Sequence, residues 1–161
     1  MDQRSGCPIN LSVEVLGDRW SLVVLRDIMF GNLRTYGELH GNSLERIATN
    51  ILASRLKQLM DEGLITAAAD PAHKQRTIYS LTEMAIQLVP VMAALGTWGA
   101  RYLPASPQFA ARSIALDQGG PAMWSDFMDE LRHLHLGAPP ARRSVLAELH
   151  RAFEAAGGVA G

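Results

Sequence analysis

Over the first hundred positions, apolar residues recur at the three-and-four spacing of helices that bury one face. Cys7-Pro8 opens the first such segment, since proline suits a first helical position where its missing N–H has no partner. Ile9, Val13 and Leu16 form its stripe and Gly17 ends it. Asp18 is placed to cap a second helix over 19–30, in which Trp20, Leu22, Val23, Val24, Leu25, Ile28 and Met29 leave almost no polar face. Such a helix belongs at the centre of a domain. After the Gly31-Asn32 break, Thr35 and Glu38 have the spacing of a capping box and predict a short third helix ending near Gly41-Asn42. Thr49 is the expected cap of a fourth helix over 50–62, with Leu52, Leu56 and Leu59 buried and Gly63 as the stop.

The period then changes. Residues 64–68 and 77–81 read as two short strands, joined by a turn, 70–76, with a basic tip. Thr82 is expected to cap a long fifth helix reaching Leu103, bent at Pro90. Residues 104–121, rich in Pro, Ala and Gly, read as a linker with a short extended piece at 113–116. Two amphipathic helices follow, 123–136 and 141–156, separated by Pro139-Pro140. Trp124, Phe127, Met128 and Leu131 are apolar on one; Leu146, Leu149, Phe153 and Ala156 line the other. The predicted fold is mainly α with a small β-hairpin wing. It is a winged helix-turn-helix (residues 1–103) with a long C-terminal dimerisation helix, followed by a linker and an extra helical tail (residues 104–161).

Composition adds limits. With 48% hydrophobic and 19% charged residues, the 161-residue chain has enough apolar material for a core and too little charge for a disordered polymer. One cysteine excludes an intrachain disulfide and fits a reducing cytoplasm. No segment reaches the roughly 20 apolar residues of a membrane span, and residues 1–6 lack a signal-peptide layout. The net charge of -1 speaks weakly against nucleic acid, but its distribution is uneven. Residues 19–101 hold nine Lys/Arg against seven Asp/Glu, so phosphate contacts must come from local clustering.

Cys7-Pro8, Leu16-Gly17-Asp18-Arg19-Trp20-Ser21, Leu25-Arg26 and Phe30-Gly31 resemble the N-terminal signature of HxlR-type regulators, a MarR-like winged helix-turn-helix family. Tyr36-Gly37-Glu38-Leu39 resembles its aromatic-x-Glu-Leu element. Ile47-Ala48-Thr49 with Leu52, Arg55-Leu56, Leu59 and Gly63-Leu64-Ile65 resembles its recognition-helix block; Tyr79-Ser80-Leu81-Thr82 and Trp98-Gly99 resemble its wing exit and long helix. The match covers about residues 7–103. The resemblance implies a bacterial or archaeal, cytoplasmic, dimeric, non-enzymatic DNA-binding protein, and says nothing of residues 104–161.

With the leucines inward, Asn50, Ala53, Ser54 and Lys57 face outward on the fourth helix. Asn and Lys reach base edges or phosphates, and small Ala and Ser let a helix lie close to them. Thr49 stands at its start. Arg55 lies beside the buried stripe and either binds a phosphate or pairs with an acid of the fold. Arg34 and Thr35, at the start of the third helix, are candidate phosphate contacts because free backbone N–H groups there attract anions. His73, Lys74, Gln75 and Arg76 are either a solvated loop tip or, beside a recognition helix, a contact to phosphate or minor groove. Met84, Leu88, Val91, Leu95, Trp98 and Tyr102 follow a heptad rhythm, which together with Ile9 and Val13 marks a dimer seam rather than an internal face. Cys7 at a helix start is either a thiol with a depressed pKa, suited to sensing oxidants, or a small apolar residue at the dimer interface.

Metal and enzyme readings find no support. His133 and His135 are two apart and point to different sides of a helix; one cysteine gives no zinc spacing; Ser21, Ser43 and Ser54 have no base partner. No cofactor is expected. Two readings remain. One is a homodimeric regulator of a double-stranded, pseudo-palindromic DNA operator, tuned by an oxidant or a small-molecule effector. The other is a sensor or protein-interaction module on a winged-helix scaffold with weak or no DNA binding. A ligand pocket near Trp20 and Trp98 is an alternative to both rings being core.

Overall fold

A computed structural model describes residues 4–157, which fall into two compact units divided between Thr82 and Glu83. The first contains α1 (Pro8–Leu16), α2 (Ser21–Gly31), α3 (Tyr36–Gly41), α4 (Thr49–Asp61), β1 (Ile65–Ala69) and β2 (Thr77–Leu81). α2 starts later than the expected 19: Trp20 holds the cap position without a side-chain bond, and Asp18, two residues before it, accepts the Trp20 and Ser21 N–H groups at 2.7 and 2.9 Å. The Thr35–Glu38 capping box is present at α3. The cap of α4 differs from expectation. Ala48 holds that position without a side-chain bond, and Thr49 is already the first helical residue.

Val24, Leu25, Ile28 and Met29 of α2 are buried, as are Leu39 of α3 and Leu52, Leu56 and Leu59 of α4. α2 packs against α3, α4 and β2, so the helix with almost no polar face is the central one. β1 and β2 pair antiparallel, Ile65 opposite Leu81 and Ala69 opposite Thr77. The Tyr79 N–H donates to the Arg34 carbonyl at 2.7 Å, tying the wing to the start of α3. This is a winged helix-turn-helix. α1 contributes no buried residue; Ile9 and Val13 are 75% and 51% exposed.

The second unit contains α5 (Glu83–Ile86), α6 (Val89–Tyr102), α7 (Pro107–Leu136) and α8 (Val145–Ala155). Two expectations are corrected here. The single fifth helix bent at Pro90 is two helices, because Pro90 sits in the first turn of α6 and starts it afresh, where its missing N–H is harmless. The expected linker over 104–121, with its extended piece at 113–116, is helical from Pro107 onward. Pro107 opens that helix and its alanines favour it. The Gly119-Gly120-Pro121 run that reads as a breaker only kinks it: Gly120 takes φ 64° and ψ -164°, a conformation essentially confined to glycine. The Trp124 indole N–H donates to the Leu116 carbonyl across the kink at 2.8 Å.

α7 packs on α6 along one side and on α8 along the other. At Gly96 a Cβ would lie 2.8 Å from Ser113 Oγ, so the missing side chain permits the close approach of α6 and α7. Leu116, Met123, Phe127 and Leu131 of α7 and Val145 and Leu149 of α8 are buried. Ser144 caps α8, later than the expected start at 141. The segment before it is held by charge. Asp126 accepts from Arg142 at 2.9 Å and Arg143 at 3.1 Å, and Glu130 accepts from Ser144 Oγ at 2.6 Å and Leu146 N–H at 3.0 Å. No helix among the described residues is long and apolar enough to cross a membrane.

Candidate nucleic-acid interface

α4 owes its place to two faces. Leu52, Leu56 and Leu59 are no more than 2% exposed, while Thr49, Asn50, Ala53, Ser54 and Lys57 all lie open. Its start is held by α3: the Tyr36 hydroxyl donates to the Thr49 carbonyl at 2.9 Å, and the Tyr36 ring stacks on His40 at 6.3 Å. Further along, Arg55 meets Asp18 at 3.2 Å, both about a quarter exposed. One carboxylate therefore bonds the start of α2 and anchors α4. Burial pushes Asp18 upward, but hydrogen bonds from Ser21 and Trp20 and the Arg55 charge outweigh it and hold it below the usual carboxylate range. Of the two roles open to Arg55 in the sequence, this geometry is the internal ion pair.

The other cations divide into engaged and open. Arg34 donates to the Tyr79 carbonyl at 2.9 Å and to the Ser80 hydroxyl. Thr35 is buried in its capping box, and the Arg34 and Thr35 N–H groups both donate to Glu38, keeping that carboxyl low. Lys57 reaches Asp61 at 2.7 Å in a pair more than 60% exposed at each end, which water and salt weaken readily. At the wing tip Arg76 donates to Asp70 at 2.7 Å, and Asp70 is also bonded by Ala72 N–H; these contacts keep Asp70 low and close the turn. His73, Lys74 and Gln75 project beyond it, and Lys74 makes no ion pair among the described residues. The arrangement is an outward polar helix face and a basic hairpin tip closed by Asp70.

Residues 15–107 match the profile of the HxlR-like helix-turn-helix, more than half of the chain. The chain belongs to the HxlR-like helix-turn-helix family. Among its relatives is an uncharacterized HTH-type transcriptional regulator of Mycobacterium tuberculosis, 34% identical over 99 residues. That match covers 62% of this chain and 61% of the relative, so the chain spans less than two thirds of that relative's length. The crystal structure of PA1607, described as a candidate transcription factor, is 34% identical at a TM-score of 0.58, over 64% of this chain and 70% of that one. The reduced form of the Bacillus subtilis transcriptional regulator YodB, 24% identical, shares the fold at a TM-score of 0.51, over 62% of this chain and 97% of its own. The HxlR-like match ends at 107, so most of α7 and all of α8 lie outside it.

Other residues named from the sequence are placed as follows. Val91, Leu95, Trp98 and Tyr102 form one exposed row on α6, each 47% exposed or more, with the Trp98 and Tyr102 rings 5.9 Å apart. Leu88 is the half-buried residue just before α6, and Met84 is on α5, so the heptad rhythm crosses a helix break. Cys7 is exposed at the start of α1. The Asn10 and Ile9 N–H groups face its sulfur and lower the thiol pKa. Among the described residues no group of three or more His, Cys, Asp or Glu is arranged to hold a metal. Sequence reasoning passed over Tyr36 as a brace of α4 and Asp18 as its anchor. Their signal, a hydroxyl or carboxylate some 13 or 37 residues from its partner, has no periodicity to betray it. It also passed over Arg46, in the turn before α4, which holds a left-handed φ of 55° at about 1–3 kcal/mol of backbone strain.

Proposed function

We propose that the protein is a sequence-specific, DNA-binding transcriptional regulator that works in the cytoplasm as a homodimer on a pseudo-palindromic operator. The observation that carries this reading is α4: apolar on its buried side, it presents Asn50, Ser54 and Lys57 outward beside the Lys74 wing tip. In a two-fold dimer two such helices enter successive major grooves roughly 34 Å apart. The exposed row Val91, Leu95, Trp98 and Tyr102, with Ile9 and Val13 of α1, supports self-association, because water-facing apolar rows of this size mark interfaces. In this reading Thr49, His73 and Arg76 share that surface, while Arg34, Thr35 and Arg55 act from inside the fold by holding α3, α4 and the wing in place. The exposed Cys7 thiol with its lowered pKa supports tuning by an oxidant, and a small-molecule effector remains part of the proposal.

The roles of the contacts separate by chemistry. An amide reads adenine bidentately, whereas an ammonium on phosphate carries no sequence information. Asn50→Ala is expected to change the ranking of operator variants by about 1–3 kcal/mol. Lys74→Ala is expected to weaken all duplexes alike and to reduce the salt slope by about 0.9. Titration of both variants against matched and scrambled duplexes at two salt concentrations tests this; unchanged affinities throughout would remove α4 and the wing from DNA reading. A second reading, a sensor or interaction module with weak or no DNA binding, draws on two observations: Arg55, Lys57 and Arg76 all face acids of their own chain, and the net charge is -1.

A further inference from the structure

Residues 42–48 form the turn that joins α3 to α4. Arg26 on α2 clamps it with two bonds to the Glu45 carboxylate, at 2.6 and 2.9 Å. Ser43 Oγ accepts from the Ile47 N–H at 3.0 Å, and the Ser43 carbonyl accepts from the Arg46 N–H at 3.2 Å. The turn is therefore held from both sides. The Arg26 guanidinium holds the Glu45 carboxyl below its ordinary range, so it stays ionised and engaged with α2 rather than with Arg46.

Arg46 is the next residue. It is exposed, and it makes no ion pair among the described residues, whereas Arg26, Arg55, Lys57 and Arg76 of the same unit each face an acid. With His40, Gly41, Ser43 and Ile47 it lines an open recess of about 400 Å³, two residues ahead of the Ala48 cap of α4. Its φ of 55° is a conformation that glycine holds without strain and arginine does not. A strained backbone is therefore kept at a position whose side chain is an open guanidinium, braced by a neighbour whose carboxylate is tied to Arg26.

The geometry points to Arg46 as a DNA-backbone phosphate contact, a second grip on the duplex before α4 in the chain, as Lys74 on the wing follows it. This rests on the DNA-binding reading above and adds a contact to it. Stability and affinity should then move apart at this one position. Arg46→Gly relieves the left-handed strain, so the thermal midpoint holds or rises. The same change removes the guanidinium, so affinity falls by roughly tenfold on specific and scrambled duplexes alike, and the salt slope shrinks by about 0.9. Arg46→Lys retains most of the slope.

The probe is a duplex enriched by the wild-type protein from a random library, with a scrambled duplex of the same composition, titrated at two salt concentrations. Should Arg46→Gly lower the thermal midpoint, Arg46→Gln takes its place in the titration. Wild-type affinity and slope in the folded Arg46 variant, with Lys74→Ala still lowering the slope, would overturn the Arg46 assignment and leave the regulator standing. Failure of the wild-type protein to enrich any duplex would overturn both.

Discussion

α4 and α6 are two amphipathic helices of similar length, 13 and 14 residues, each with one face buried in its own unit. They differ on the other face. α4 turns Asn50, Ser54 and Lys57 to water; α6 turns Val91, Leu95, Trp98 and Tyr102 to it. Periodicity locates the buried side of either helix and says nothing about the opposite side. The chemistry of that opposite side distinguishes the partners: polar groups that exchange water for base edges and phosphates lose little by being open, whereas an aromatic and aliphatic row gains only when something covers it.

The comparison breaks most severely if the covered face of α6 is stripped. A chain ending at Pro104 loses α7, which packs along α6 over the buried Val89, Met92 and Ala93. Its thermal midpoint is expected to fall or its oligomeric state to change, with no loss of α4 helicity. A calorimetric scan with light scattering reads both, and an unaltered profile would make the tail an appendage.

Next in size are two single changes on opposite faces. Leu56→Ala, on the buried side of α4, should cost about 2–5 kcal/mol in urea unfolding, the ordinary penalty for a truncated core leucine. Leu95→Asp, on the open side of α6, should leave the monomer's unfolding largely unchanged. It should instead weaken self-association by about 3 kcal/mol or more, through a charge with no partner at the seam. Light scattering against concentration checks it; a wild-type protein that is monomeric at micromolar concentration would show that the α6 row faces something other than a second copy.

Smaller effects sharpen the picture at the helix starts. If the exposed Cys7 thiol responds to oxidants, diamide should alter duplex affinity in the wild type and not in Cys7→Ser. Equal responses would leave the thiol structural. In the second unit, Arg132 bonds Glu83 at 2.6 Å and lowers its carboxyl to about 2 from about 4.5. A depressed carboxylate stabilises the fold above its ordinary pKa and ceases to do so as pH falls towards the folded value. Stability contributed by this pair should therefore fade between about pH 4.5 and 2. The pair is partly open to water, so the loss should stay under about 1 kcal/mol. Arg132→Ala should flatten that acid limb of the stability curve.

Much of the first unit was legible in advance because its signals are local. The Thr35–Glu38 box, the Asp18 bonds ahead of α2 and the spacing of the α4 leucines all act between residues no more than four apart. The second unit was harder to read. Pro90 and the Gly119-Gly120-Pro121 run carry strong local breaker signals, yet the first begins a helix and the second only kinks one, because packing on α6 and the Trp124 bond to Leu116 support the backbone. At the candidate interface the outward face of α4 follows from its period. The pairing of Arg55 with Asp18, of Arg26 with Glu45 and of Tyr36 with Thr49 depends on tertiary closure, which no spacing encodes.

The kink at Gly120 also sets how the tail tolerates changes in length. An unbroken α7 of 30 residues would be a rod of about 45 Å. One residue inserted near its start would rotate everything downstream by about 100°, the turn per residue of a helix with 3.6 residues per turn. The joint at Gly120 does not undo that turn, because its backbone holds one conformation and the Trp124 indole bonds Leu116 across it. A residue gained or lost between Pro107 and Gly119 is therefore expected to turn either the α6-facing side of α7 or the aim of Asp126 and Glu130 on Arg142, Arg143 and Ser144 out of register. Gly119, where a side chain would collide with Met123, and Gly120, whose φ and ψ suit glycine alone, make the joint irreplaceable for two different reasons. The register of the second half of the tail is thus tied to that of the first.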